Sequence, residues 1–132
     1  MESDLIKNRD RAKQLMAFDD MQYGRCRPTD VDISIDFQGR TFVLGELKGN
    51  NMPLTLGQKI HLEGIVKAIR AGGKVAYAFL AHHDTPECEH DVRVAEAVPH
   101  KVFNGKEWFT PEQTSVHSLL QTIHKEHKEN RQ

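Results

Sequence analysis

Apolar and polar residues alternate most cleanly between Val31 and Phe37. Val31, Ile33, Ile35 and Phe37 fall on one side, and Asp32, Ser34 and Asp36 on the other. A period of two predicts a strand with one polar face. Gln38 and Gly39 read as a turn, and Thr41 to Lys48 as the return strand. The period then changes. In "TLGQKIHLEGIVKAIRAGG", Leu62, Ile65, Val66 and Ile69 recur at helical spacing. Thr55 suits the N-cap of that helix, with Gln58 as the third residue of a capping box. Lys67 and Arg70 suit the C-terminal end of its dipole, and Gly72 or Gly73 can take the left-handed position that ends it. Lys74 to Ala81 is almost continuously apolar, as expected of a strand covered on both faces.

The flanking segments are less regular. Ser3 to Gln22 reads as a helix with a loose stripe of Leu5, Ala12, Leu15 and Met16, broken afterwards by Gly24 and Pro28. "AHHDTPECEHD" reads as a polar loop, and Val92 to Val98 as a further strand. Asn104-Gly105 is a two-residue hairpin signal. Thr110 with Pro111 at the first helical position predicts the start of a last helix, whose apolar stripe is Val116, Leu119, Leu120 and Ile123. His117, His124 and His127 are expected to be solvated on that helix, which runs into a charged tail. The order α-β-β-α-β, then a β-hairpin and a C-terminal helix, predicts an α/β fold with a mixed central sheet flanked by helices.

Composition narrows the function classes. A chain of 132 residues suggests one domain, and 38% apolar with 28% charged residues suits a packed core. The longest apolar run, Val75 to Ala81, is too short to cross a bilayer, so no membrane association is expected. The first residues lack the basic and apolar regions of a secretory signal. Two cysteines, Cys26 and Cys88, make no disulfide framework, so a reducing, cytoplasmic location is expected. A net charge of −1 offers no global attraction for nucleic acid. Any such partner needs a local basic patch, for which Arg25, Arg27, Lys59 and Lys74 are the candidates.

Charged residues crowd the open ends of the first hairpin. Glu46 and Lys48 share one face of their strand, and Asp30 and Asp32 share one of theirs. A two-residue Gln38-Gly39 turn would pair Phe37 with Arg40 and set Asp32 opposite Gly45, with the carboxylates on opposite faces. A three-residue loop, Gln38 to Arg40, or a bulge inverts the parity. Asp32 then faces Glu46, and Asp30 faces Lys48. In that register the two carboxylates lie about 5 Å apart at their Cβ atoms, which raises one pKa unless a cation sits between them. Magnesium, with its preference for oxygen and retained water, is the natural cation, and manganese a substitute. Lys48 adds positive charge where a phosphate would sit.

These residues carry a resemblance. Asp32, with Glu46-Leu47-Lys48 on the next strand, resembles the core motif of the PD-(D/E)XK nuclease superfamily. Pro28-Thr29-Asp30 is similar to its "PD" variant with one residue inserted, and either Asp30 or Asp32 matches the family aspartate. Gln58 is similar to a glutamine found at that place in Holliday-junction resolvase-like and VRR-NUC-like branches. The phrase "PTDVD…GELKG…PLTLGQK…GGKVAYAFLA" looks like small phage and prophage proteins of the superfamily, over about Tyr23 to His82. The resemblance implies a restriction-endonuclease-like core and magnesium-dependent hydrolysis of DNA phosphodiesters. It implies metal ligation by Asp32 or Asp30, by Glu46 and by the Leu47 carbonyl, activation of water by Lys48, and support from Gln58. A homodimer fits by analogy. An acid from the first helix, Asp19 or Asp20, would complete such a site.

Other readings compete. Asp32, Glu46 and Lys48 can form a surface salt-bridge cluster, and Gln58 can serve only its capping box. A member of the same fold without catalysis would bind nucleic acid or protein. His82, His83, Asp84, Cys88 and His90 offer zinc-type ligands without a standard spacing, and so an interaction module stabilised by zinc. Tyr23, Phe103, Trp108 and Phe109 can stack on bases or fill the core.

Overall fold

The computed structural model describes residues 20–85 and 91–130. Five strands form one open mixed sheet in sequence order. They are β1 (Ile33–Phe37), β2 (Thr41–Gly49), β3 (Val75–His83), β4 (Val98–Phe103) and β5 (Trp108–Phe109). The β2–β3 pair is parallel, and the other three pairs are antiparallel. Helix α1 (Leu56–Ala71) makes the crossover between β2 and β3, and helix α2 (Val116–Glu129) follows β5. The architecture is therefore mixed α/β. Among the described residues, no helix is long and apolar enough to cross a membrane.

Alternation along the strands splits the core into two layers, one on each side of the sheet. Phe42, Leu44, Ala76 and Ala78 meet Leu62 and Val66 of α1, with Phe103 and Trp108 at the margin. Val43, Phe79, Ala81 and Val102 meet Val116, Leu119 and Ile123 of α2. β3 lies between both layers, which explains its unbroken apolar run. The Trp108 indole N–H donates to Glu63 at 2.6 Å, so the β4–β5 hairpin is tied to α1.

Several elements depart from the sequence expectations. The helix expected over Ser3 to Gln22 lies outside the described residues except for Asp20 to Gln22, which are not helical. Val92 to Val98 is not a strand. It contains a 3-10 turn, Val94–Glu96, and β4 begins only at Val98. The Asn104-Gly105 hairpin has a four-residue connection, because the Asn104 carboxamide accepts from the amides of Lys106 and Glu107, both at 2.9 Å. The last helix starts at Val116 and not beside Pro111. Ser115 caps it by accepting from the Ser118 amide, and the Val116 amide donates to the Ala97 carbonyl at 2.8 Å. That bond anchors the helix start to the 3-10 turn. His82 and His83 belong to β3 and not to the loop after it.

His127 is a further correction, being only 4% exposed. Its Nε2 lies 3.2 Å from the Gln38 side-chain oxygen, and its Nδ1 lies 3.2 Å from the Thr41 hydroxyl. A carboxamide oxygen accepts, so Nε2 carries a proton, and Nδ1 shares a hydrogen bond with the Thr41 hydroxyl. His124 stacks on Phe37 with ring centroids 4.9 Å apart. The last turns of α2 therefore grip both sides of the β1–β2 turn.

Candidate functional site

The site begins with that turn. Gln38 and Gly39 both hold positive φ, at 58° and 70°. The Arg40 amide donates to the Phe37 carbonyl, and the Gly39 amide donates to Asp36. The loop therefore spans Gln38 to Arg40, and Phe37 pairs with Thr41. Ile33 pairs with Gly45 at the far end of the ladder. One step beyond, Asp32 lies against Glu46, on the face covered by α1. Asp36, on the same strand face, is consumed by the turn.

The two acids are in contact. The Leu47 amide donates to Asp32 Oδ2 at 2.8 Å, which pins the aspartate across the strand pair. Asp32 is hydrogen-bonded to the Glu46 side chain, and Glu46 is only 3% exposed. Burial, the bond to Asp32, and the charges of Asp32 and Asp30 push the Glu46 carboxyl up from 4.5 to about 8, while Lys48 pulls it down. At neutral pH Glu46 is thus protonated and donates to Asp32. One proton occupies a place between two oxygens that a cation can take.

Position in the sheet favours access to this pair. Glu46 and Lys48 lie near the carboxyl end of β2, beside Leu80 and His82 of the parallel neighbour. α1 runs back from there, so its N-terminus opens at the same end. Such ends of parallel strands are where open α/β sheets bind ligands.

Gln58 serves as a cap. Its side-chain oxygen accepts from the Thr55 amide, and its own amide donates to the Thr55 hydroxyl, both at 3.1 Å. Thr55→Ala and Gln58→Ala are each expected to cost about 1 kcal/mol in urea unfolding. Equal losses of activity in the two variants would leave Gln58 its capping role alone; a much larger loss in Gln58→Ala would give it a place in the chemistry.

Of the cations expected to form a basic rim, Lys59 is the one placed at the site end of the sheet. Arg25 and Arg27 are exposed at and just after the tight turn closed by Tyr23 and Cys26. Lys59 is exposed on the first turn of α1, at the site end of the sheet. Lys74 is not part of this rim. Its neighbour Val75 pairs with Thr41, roughly 16 Å along β2 from Glu46 at the usual strand rise. Asp20 is exposed, and Asp19 lies outside the described residues.

The donor set suits a hard divalent cation. Two carboxylates converge, Asp30 adds field, and the remaining positions would be filled by water, as magnesium prefers. Among the described residues, no three His, Cys, Asp or Glu side chains converge as ligands of one ion. The zinc reading rested on a loop whose Cys88 and His90 lie outside the described residues. Of the aromatic candidates, Phe103 is buried and Trp108 half-buried, whereas Tyr23 and Phe109 are exposed.

No protein family, curated protein or solved structure matched the chain.

Proposed function

We propose that the protein is a metal-dependent nuclease that hydrolyses DNA phosphodiester bonds on a restriction-endonuclease-like core. The observation that carries this reading is the proton-sharing Asp32–Glu46 pair at the carboxyl end of β2, with Lys48 two residues further along the same face. Two carboxylates held together, one of them buried, repel unless a proton or a cation lies between them, and magnesium would take the place of that proton. Asp32 and Glu46 would hold magnesium, with Asp30 nearby and the Leu47 carbonyl available in the same strand.

When bound, magnesium supplies Lewis-acid stabilisation of the phosphate and of the hydroxide formed from water. The chain's own groups do the rest. Asp32, fixed by the Leu47 amide, orients Glu46. Lys48 balances the negative charge that grows on the phosphate oxygens and positions the attacking water. Lys59, Arg25 and Arg27 are the exposed cations available to the flanking phosphates.

The test is magnesium calorimetry with a plasmid-nicking assay. Wild type is expected to bind magnesium and nick DNA, and Lys48→Ala to bind the ion but nick at least ~100-fold more slowly. Metal binding without cleavage of duplex, branched or single-stranded DNA would leave a binding module in place of an enzyme.

A further inference from the structure

His82 stands beside Lys48 in the β2–β3 ladder, on the face that carries Glu46. Its ring is held from two sides. Nε2 lies 3.0 Å from the Met52 carbonyl oxygen, which only accepts, so Nε2 carries a proton. The His100 ring packs on it, with centroids 4.8 Å apart and planes tilted by 32°. The contact arises from an irregularity in β4. Leu80 pairs with Lys101 and Ala81 with Pro99, so His100 is the extra residue of a bulge. Bulges re-aim side chains in this way beside functional sites. Both histidines line a cleft of about 990 Å³ at the carboxyl ends of β2 and β3, together with Asn50, Asn51, Arg93 and the acids Asp84, Asp91 and Glu96; Glu46 and Lys48 do not line it, and His82 is the wall residue that stands beside Lys48. That volume is enough for a nucleotide.

We propose that His82 is a catalytic residue of this nuclease, donating a proton from Nδ1 to the ester oxygen that leaves phosphorus. The proposal rests on the hydrolytic reading above. A sugar alkoxide is a poor leaving group, and Asp32 and Glu46 are committed to the cation. With Nε2 engaged by Met52, Nδ1 is the ring nitrogen left to act. The water oxygen bonds to phosphorus as the bond to the bridging oxygen breaks. That oxygen departs with the bonding pair and takes the Nδ1 proton. The water releases one proton to solvent, and the imidazole recovers one from it.

The experiment compares His82→Gln with wild type on two oligonucleotides in magnesium. One is all-oxygen, and the other carries sulfur at the bridging position, prepared in 3′ and 5′ versions. Glutamine can still donate to the Met52 carbonyl, and a thiolate leaves without protonation. The variant is expected to lose at least ~100-fold in kcat on the oxygen linkage, with KM little changed, and less than about threefold on the sulfur linkage that rescues it. In metal-free wild-type protein, the ¹⁵N resonance of His82 Nδ1 is expected to shift when the uncleaved oligonucleotide is added. Equal losses on both linkages, no loss, or an unmoved resonance would each overturn the proposal. Glu46-dependent cleavage that ignores His82 would remove only this step. A wild type that cleaves neither linkage would remove the nuclease reading as well.

Discussion

Glu46→Gln is expected to make the protein more stable than wild type above pH 8 while abolishing its affinity for magnesium. The sign follows from the carboxyl's position. In the folded chain it titrates at about 8, against 4.5 without the fold. Between those values the unfolded state has released a proton that the folded state keeps. The contribution of this carboxyl to wild-type stability is therefore fully present below pH 4.5, is lost as pH rises towards 8, and is gone above it. The slope approaches ~1.4 kcal/mol per pH unit, so the loss amounts to a few kcal/mol. Glutamine keeps a donor for Asp32 and has nothing to ionise, so its curve lacks this fall. Magnesium must displace the same proton. Its affinity for wild type should rise about tenfold per pH unit until pH 8 and then flatten, with proton release seen by calorimetry in buffers of different ionisation enthalpy. Urea midpoints from pH 4 to 9 check the stability half. Parallel curves for wild type and Glu46→Gln would mean that the acid is not held neutral by the fold.

Gly45→Ala should be among the most damaging single methyl additions to the sheet. A Cβ at Gly45 would overlap the edge of the Phe79 ring. Phe79 is fully buried between β3 and α2, so it has little room to yield. Overpacking of this kind costs about 1–3 kcal/mol, and the upper end is expected here because both partners lie in central strands. Trimming the ring should restore part of the loss: Gly45→Ala with Phe79→Leu is expected to be more stable than the sum of the two single changes allows. Guanidinium unfolding of the four proteins measures this. A Gly45→Ala variant within about 0.5 kcal/mol of wild type would show that no ring presses on that backbone. Glu46 is the next residue, so the same variant should also weaken magnesium binding.

Local signals made some elements legible. α1 announced itself through Thr55, Gln58 and the spacing of Leu62, Val66 and Ile69, because a capping box and a buried stripe are both short-range. β3 showed in its apolar run, since both of its faces are covered. Thr110-Pro111 is a good local helix start, but Ser115 wins through a bond from the Val116 amide to Ala97, far away in sequence. His127 is a core residue that continues the stripe of Val116, Leu119 and Ile123 at helical spacing. The signal was present, and the residue type argued against it. The pairing of His82 with His100 left no trace in sequence, because it depends on a one-residue bulge in β4.

By itself the sequence determined that Asp32 leads into one strand and that Glu46 and Lys48 share a face of the next one, because side chains alternate with a period of two. Whether those acids meet was decided only by the tertiary structure. The parity of the β1–β2 loop sets it, and that parity depends on Gln38 and Gly39 at positive φ, with His127 of the distant last helix gripping Gln38 and Thr41. A slip of one residue would carry Asp32 to the other side of the sheet, and would take Ile33, Ile35 and Phe37 out of the layer under α2 with it.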